Sequence, residues 1–402
     1  MDSAGANPRL QFGRSIRHLW ELADDAVFLN HGSFGACPKV VLAEQDRIRR
    51  EMERAPDAFF RNAIMPQEGV GSALRAAASD LAAFVGARGE QLAFVENATV
   101  GVQAVLRSIP FAAGDRILIT NHTYNAVRLM VEARCAETGA EPLVVQIPVP
   151  TDDDAFVQRI AEALTPGVKV AIIDHITSPT ALVLPLERII PELRARNILA
   201  LVDGAHAVGH IRLDLAALRP DWYVSNCHKW LYAPKGSAFL YASDAVAPMT
   251  RPNVVSHYIA MGFPRAFDFT GTRDNSAWLS VPAALRFYES LDPPRMREHI
   301  RDLLDGCSAA LSSLGAKPVG PLDASAAMRA FHLPQPRPAT PDDVTALMRE
   351  YWDEERMQLA AYAFDGALLL RISTQVYVDH DDIRRMGEAL GRRGWPGRGE
   401  EQ

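Results

Sequence analysis

Two side chains near the middle of the chain have the types and spacing of a covalent-catalysis pair. In ILALVDGAHAVGH, Asp203 closes an apolar run and Gly204 follows; in WYVSNCHKW, Lys229 lies just past the next apolar run. As neighbouring strands of a parallel sheet such runs end at one edge, where a carboxylate and an amine can meet one flat ligand. Pyridoxal 5′-phosphate (PLP) needs that pair. The amine bonds its aldehyde, and the carboxylate keeps its pyridine nitrogen protonated so that the ring accepts electrons. An isolated Asp at a strand end is commonly a turn or helix cap; the pairing with a lysine is the informative part. Only five lysines occur, Lys39, Lys169, Lys229, Lys235 and Lys317, which leaves amine chemistry few candidates.

A phosphate needs an anion site. Asn97-Ala98-Thr99 follows the run LAFV and opens a helix pattern, so backbone N–H groups and the Thr99 hydroxyl can receive an anion. Asn and Thr are also routine N-caps. Asn226 and His228, beside the lysine, are further phosphate donors. In NHTYNA, His122 and Tyr124 are both candidates to lie over a pyridine ring. His175 and Ser178 in DHITSPT sit at the end of another apolar run, where they line the pocket or serve structure equally well. Asn30, His31 and Ser33 in LNHGSFG are substrate-pocket candidates, with Gly32 and Gly35 shaping a turn.

The elements that must position these residues are legible as periodicity. From Gly71 to Ser243, apolar runs at 92–95, 116–120, 142–147, 170–174, 198–203, 222–225 and 238–242 alternate with helix-period segments such as 98–108, 125–138, 155–164 and 186–196. That alternation predicts an α/β domain with a mostly parallel sheet. Further on, a Pro-rich stretch enters a helix capped near Thr340, and a strand at 368–373 precedes a helix at 380–392. The expected organisation is an N-terminal segment (1–35), a large cofactor-binding domain (36–280) and a smaller C-terminal α+β domain (281–402). The last residues, GWPGRGEEQ, read as a frayed tail.

Composition narrows the class. The 402 residues call for two domains, and 48% hydrophobic with 23% charged residues is ordinary for a globular protein. A net charge of −7 without Lys/Arg runs argues against a nucleic-acid surface. The four cysteines, Cys37, Cys135, Cys227 and Cys307, form no CxxC pair, which disfavours disulfides and a metal site and points to a reducing cytoplasm. No stretch approaches the ~18 apolar residues of a membrane span, and the N-terminus lacks an apolar signal core. A cytosolic protein is expected.

Taken together, VDGAHAVG, SNCHKWLYAPKG, FTGTRD and LRIS resemble the class V aminotransferase family of fold type I PLP enzymes. LNHGSFG and NHTYNA are most similar to its isopenicillin N epimerase-like group. The resemblance implies that Lys229 is the Schiff-base lysine and shuttles the Cα proton. It implies that Asp203 binds the pyridinium nitrogen and His206 the phenolic oxygen. Ala98 with Thr99, and Asn226 with His228, would hold the phosphate. Thr272, after Gly271, would reach the phosphate of the neighbouring subunit in a homodimer. Arg371 would clamp the substrate carboxylate through its bidentate fork. The group's pattern favours Tyr124 over His122 as the stacking residue, with a hydroxyl able to act opposite Lys229.

The implied substrate is an α-amino acid, and three outcomes follow from where the proton returns. Epimerisation and β-elimination of an S-conjugated cysteine rank nearly level; transamination or decarboxylating deamination, in secondary metabolism, stands behind. Cysteine desulfurase chemistry is disfavoured because no cysteine occurs in the loop 324–342. A catalytically silent PLP- or phosphate-binding protein is the reading from another class; the intact set of Lys229, Asp203, His206 and Arg371 argues against it.

Overall fold

The computed structural model describes residues 10–65, 72–323 and 326–394. Seven strands build the large sheet: β1 (Leu92–Val95), β2 (Arg116–Thr120), β3 (Glu141–Val145), β4 (Val168–Asp174), β5 (Leu199–Asp203), β6 (Trp222–Asn226) and β7 (Ala238–Ala242). Their spatial order is β1-β7-β6-β5-β4-β2-β3. Only β7 runs against its neighbours; the remaining pairings are parallel. The expected mostly parallel sheet is present.

These runs become strands because both of their faces are covered. On β5, Ala200 and Val202 enter one buried cluster, and Leu201 enters a second across the sheet. On β2, Leu118 joins the first, and Ile117 and Ile119 the second. Period-two alternation thus divides apolar side chains between two helical layers. Each parallel strand ends at the same edge, which gathers the polar residues that close the runs.

A second sheet, of four strands, follows: β8 (Lys317–Pro318), β9 (Met328–His332), β10 (Ala360–Phe364) and β11 (Ala367–Ser373), in the order β10-β11-β9-β8. Its pairings are antiparallel. Thr340 caps the helix Pro341–Glu355, its hydroxyl accepting from the Asp343 N–H while the Asp343 carboxylate returns a bond to the Thr340 N–H. The N-terminal segment reaches this second unit, where Val27–Phe28 pairs in parallel with Met357–Gln358. The helix Val281–Ser290 packs on the helices Lys39–Arg54 and Ala73–Phe84 of the first unit. The tail after Gly394 lies outside the described residues, and no described helix is long and apolar enough to cross a membrane.

One glycine fixes how the N-terminal segment meets the large domain. Gly35 ends the short helix His31–Phe34 at φ +68°, and an ideal Cβ there would run into the His228 carbonyl oxygen and stand 2.8 Å from that of Lys229. Gly35→Ala should therefore destabilise the fold by about 2–3 kcal/mol and loosen the lysine turn. Denaturant unfolding with a midpoint unchanged from wild type would refute this.

Candidate active site

The carboxyl ends of β4, β5 and β6 form the floor. Asp174 and Asp203 are register partners across β4 and β5, and both are buried. Lys229 sits in the one-turn helix Cys227–Trp230 that leaves β6. The residue as a whole keeps some exposure to the cleft, but its amine is enclosed and lies 3.2 Å from His206 Nε2. Burial, then the charge of Arg371, lowers the amine from 10.5 to about 7, against the pull of Asp203 and Asp174. The other four lysines lie elsewhere: Lys39 near Glu21, Lys169 on Asp115, Lys235 on the Gly35 carbonyl, and Lys317 on β8.

The two carboxyls cannot both ionise easily. Burial raises Asp203, which the Ala205 N–H and Lys229 partly offset. Burial raises Asp174 further, with the Asp203 charge as the second cause. The pair titrates as a unit, and the proton belongs on Asp174 while Asp203 stays anionic. Asp174 was missed in the sequence, although VAIID ends in Asp just as ILALVD does.

Hydrogen bonds fix the histidine tautomers. Trp230 Nε1–H donates to His206 Nδ1 at 3.3 Å, so the proton of neutral His206 rides on Nε2, toward Lys229. Desolvation and the Lys229 charge hold its pKa well below the usual range, keeping it neutral. An N–H presented there suits a phenolic oxygen beside the amine. His228 donates Nδ1–H to the Ser237 carbonyl at 2.9 Å and is pushed down to about 4 by burial. Its remaining Nε2 is then an acceptor, and it becomes a phosphate donor only when a bound anion brings the proton with it.

Three expected roles shift. Ala98 gives its N–H to Asn226 Oδ1 at 2.9 Å, so it is spent on joining β6 to the helix Ala98–Ser108 rather than free for an anion. Thr99, exposed in the first turn of that helix, and the Asn226 amide nitrogen are what remain. His31 is fully buried and spans Tyr377 Oη (2.6 Å) and the Lys229 carbonyl (2.9 Å), with burial lowering its pKa to about 3. It props the lysine turn instead of facing a substrate. His122 donates Nε2–H to the Ile147 carbonyl (2.9 Å), accepts from Thr180 (2.8 Å) and packs on Phe364. Both of its nitrogens are committed away from the cleft, whereas Tyr124 heads the helix Asn125–Thr138 with 47% of its surface exposed.

Opposite the amine stands Arg371, fully buried on β11 between the small residues Ala330 and Ala360 of the flanking strands. Its partners are neutral oxygens: Ser178 O (2.6 Å) and Oγ (3.2 Å), Ser33 Oγ (3.0 Å) and Asn30 Oδ1 (3.5 Å). Its Nε has no partner. The Tyr362 ring lies 5.1 Å from its guanidinium carbon, a cation–π neighbour that no sequence signal marked. A buried guanidinium without a carboxylate costs several kcal/mol and is set to receive an anion. His175 lies beneath, bonded to Tyr223 Oη at 2.7 Å and lowered to about 4 by burial. Thr272 is exposed and outside this cluster.

The residue pattern matches the sequence model "Aminotransferase class-V" over residues 36–351. The chain belongs to the class V aminotransferase family. It is 34% identical over 384 residues to an isopenicillin N epimerase of Amycolatopsis lactamdurans, covering 90% of this chain and 94% of that one. An L-cysteine desulfhydrase of Arabidopsis thaliana is 27% identical over 407 residues, covering 90% and 86%. Among solved structures, the cystine C–S lyase C-DES in complex with cysteine persulfide superposes with a TM-score of 0.77 at 21% identity, covering 91% of this chain and 97% of that one. This last likeness shows the shared fold.

The site fits the family's cofactor, because the uncompensated Arg371, the anionic Asp203 and the His206 N–H each face the Lys229 amine. Apo-protein should take up PLP at a rate that climbs with pH through about 7, since the neutral amine is the nucleophile, and Lys229→Ala should give no band near ~420 nm. A midpoint above 9 would contradict the buried amine. With the proton on Asp174, Asp174→Asn should keep activity within about threefold, while Asp203→Asn loses a hundredfold or more, roughly. Equal losses in steady-state assays would refute that assignment.

Proposed function

We propose that the chain is a PLP-dependent lyase that eliminates a sulfur leaving group from Cβ of an S-conjugated cysteine. One observation carries the choice: the cleft presents a single tuned base. Lys229 is lowered to about 7, whereas the Tyr124 hydroxyl has no cation or hydrogen-bond partner among the described residues. Epimerisation needs an acid and a base on opposite faces of Cα; elimination runs with one group that takes the Cα proton and returns a proton to the leaving thiolate. The cysteine desulfhydrase relatives support this outcome.

In this reading Arg371 grips the substrate carboxylate, with Ser33, Asn30 and Ser178 holding the guanidinium plane. Lys229 takes the Cα proton, and Asp203 holds the ring nitrogen's proton in place. His206 donates to the phenolic oxygen. Thr99, Asn226 and His228 hold the phosphate, and Tyr124 covers the ring. Bound PLP supplies an electron sink for the Cα pair. The Cβ–S bond breaks, and water completes the balance: S-conjugated cysteine plus water gives pyruvate, ammonia and a thiol.

All four cysteines are buried, and burial raises their thiols, Cys37 and Cys307 to about 12, so no thiolate is at hand for desulfurase chemistry. Epimerisation is the second reading, favoured by the 34% identity to isopenicillin N epimerase. Reaction of candidate amino acids in deuterated water separates the two. Pyruvate and free thiol are expected; solvent deuterium at an inverted Cα without pyruvate would overturn the lyase assignment.

We propose further that the enzyme is a homodimer completed across its axis. A Cβ on Gly271, at φ +124°, would meet nothing within 4 Å and Thr272 is exposed, while Arg273 anchors their loop to Glu96 and stacks on Trp278 at 3.8 Å. Thr272→Asp should weaken PLP affinity about tenfold through charge repulsion without unfolding the chain. A fully active monomer in sedimentation would sink this arrangement.

A further inference from the structure

The two units leave a cavity of about 230 Å³ whose wall includes Trp230, and which Lys229, Asp203, His206 and Arg371 do not line. Its floor is apolar, with Val183, Ile211, Met296 and Ile300. Its rim is cationic: Arg212 comes from the large domain, and Arg297 and Arg301 from the helix Pro293–Ser313. No acidic residue lines it, and none of the three guanidinium groups pairs with a carboxylate among the described residues. Arg297 engages the Tyr288 hydroxyl, and Arg212 and Arg301 are exposed.

Arg297 and Arg301 stand at i and i+4, where like charges repel by a few tenths of a kcal/mol, roughly. Met296 and Ile300 share that spacing and put a hydrocarbon surface beside the charges. An apolar body with one anionic head satisfies both features, and a cavity of about 230 Å³ is far larger than a single water needs.

The far wall leads to the active site. His210 stacks on Trp230 at 3.9 Å, donates Nδ1–H to the His206 carbonyl at 2.8 Å and accepts from the Ala327 N–H of the second unit. Trp230 then donates to His206, whose other nitrogen meets Lys229. Any ligand that shifts Trp230 moves the hydrogen bond that sets the His206 tautomer.

We infer that this cavity is a binding site for a small apolar acid, gripped by Arg212 and Arg301, and that its occupancy is transmitted to Lys229 through Trp230 and His206. The binding stands independently of the reaction assigned above; the transmission rests on Lys229 carrying the cofactor. Calorimetric titration of the holoenzyme with phenylacetate, and with neutral phenylacetamide as control, tests the first part. Phenylacetate should bind with Kd on the order of 1 mM or tighter, and the amide about tenfold more weakly.

The Arg212→Ala/Arg301→Ala enzyme should lose about tenfold in affinity with its basal activity intact, and Arg371→Leu should still bind. Loss of binding in Arg371→Leu, with retention in the double variant, would place the acid in the substrate clamp and overturn the site; so would equal affinity for the amide or the absence of binding. For transmission, bound phenylacetate should move the pH midpoint of the visible cofactor band in wild type. In Trp230→Phe, which keeps a ring but lacks the N–H, the acid should bind without that movement; a shift that persists there would overturn the relay.

Discussion

Taking an amine out of water penalises its charged form, and in this fold that penalty is opposed by only two carboxyls at the same sheet edge. Burial and the Arg371 charge push Lys229 down, Asp203 and Asp174 push it up, and the balance rests near 7. With more acid the lysine would be a permanent ammonium ion, unable to act as a nucleophile at neutral pH. With less, it would hold no proton to deliver. The carboxyl pair regulates itself through its own repulsion, because burial of two adjacent acids keeps one protonated. The amine therefore faces close to one negative charge and one positive charge, and an anion placed on Arg371 would shift that balance toward the protonated amine.

The histidines show how the same burial makes scaffolding. His31, His122, His175, His206, His210 and His228 are all pushed toward the neutral form, with desolvation the largest cause in each. Neutral imidazole donates once and accepts once, so each ring can join two elements without leaving a charge behind. Four of them spend a nitrogen on a backbone carbonyl: Lys229 for His31, Ile147 for His122, His206 for His210 and Ser237 for His228, while His175 and His206 bond side chains alone.

Much of this was legible in sequence where one strand's pattern sufficed. The runs at 92–95, 116–120 and 238–242 form strands with those bounds, because both faces are apolar and turns flank them. Asp203 and Lys229 could be paired because parallel strand ends converge. What could not be read were contacts between distant segments. Nothing local distinguishes His31, a prop under the lysine turn, from Ser33, which reaches Arg371. Nothing in NHTYNA says that Ile147 and Thr180 take both nitrogens of His122. The Ala98 N–H looked free because helix N-termini generally are, but Asn226 lies two strands over in the sheet and far away in sequence. Tyr362 meets Arg371 only through the register that pairs it with Leu369.

The N-terminal segment ties the Lys229 turn to the Arg371 guanidinium. Within one turn, His31 Nε2 holds the Lys229 carbonyl, while Asn30 and Ser33 hold the Arg371 guanidinium. Lys229 belongs to the first sheet unit and Arg371 to the second, so relative movement of the two would carry the guanidinium away from the amine. A four-residue helix bonded to both resists that movement, and Gly35 lets it sit directly against the lysine backbone. Which bond at Cα breaks depends on how the carboxylate is held relative to the base. In the proposed reaction, that geometry is set as much by the 30–35 turn as by the residues that touch the proton.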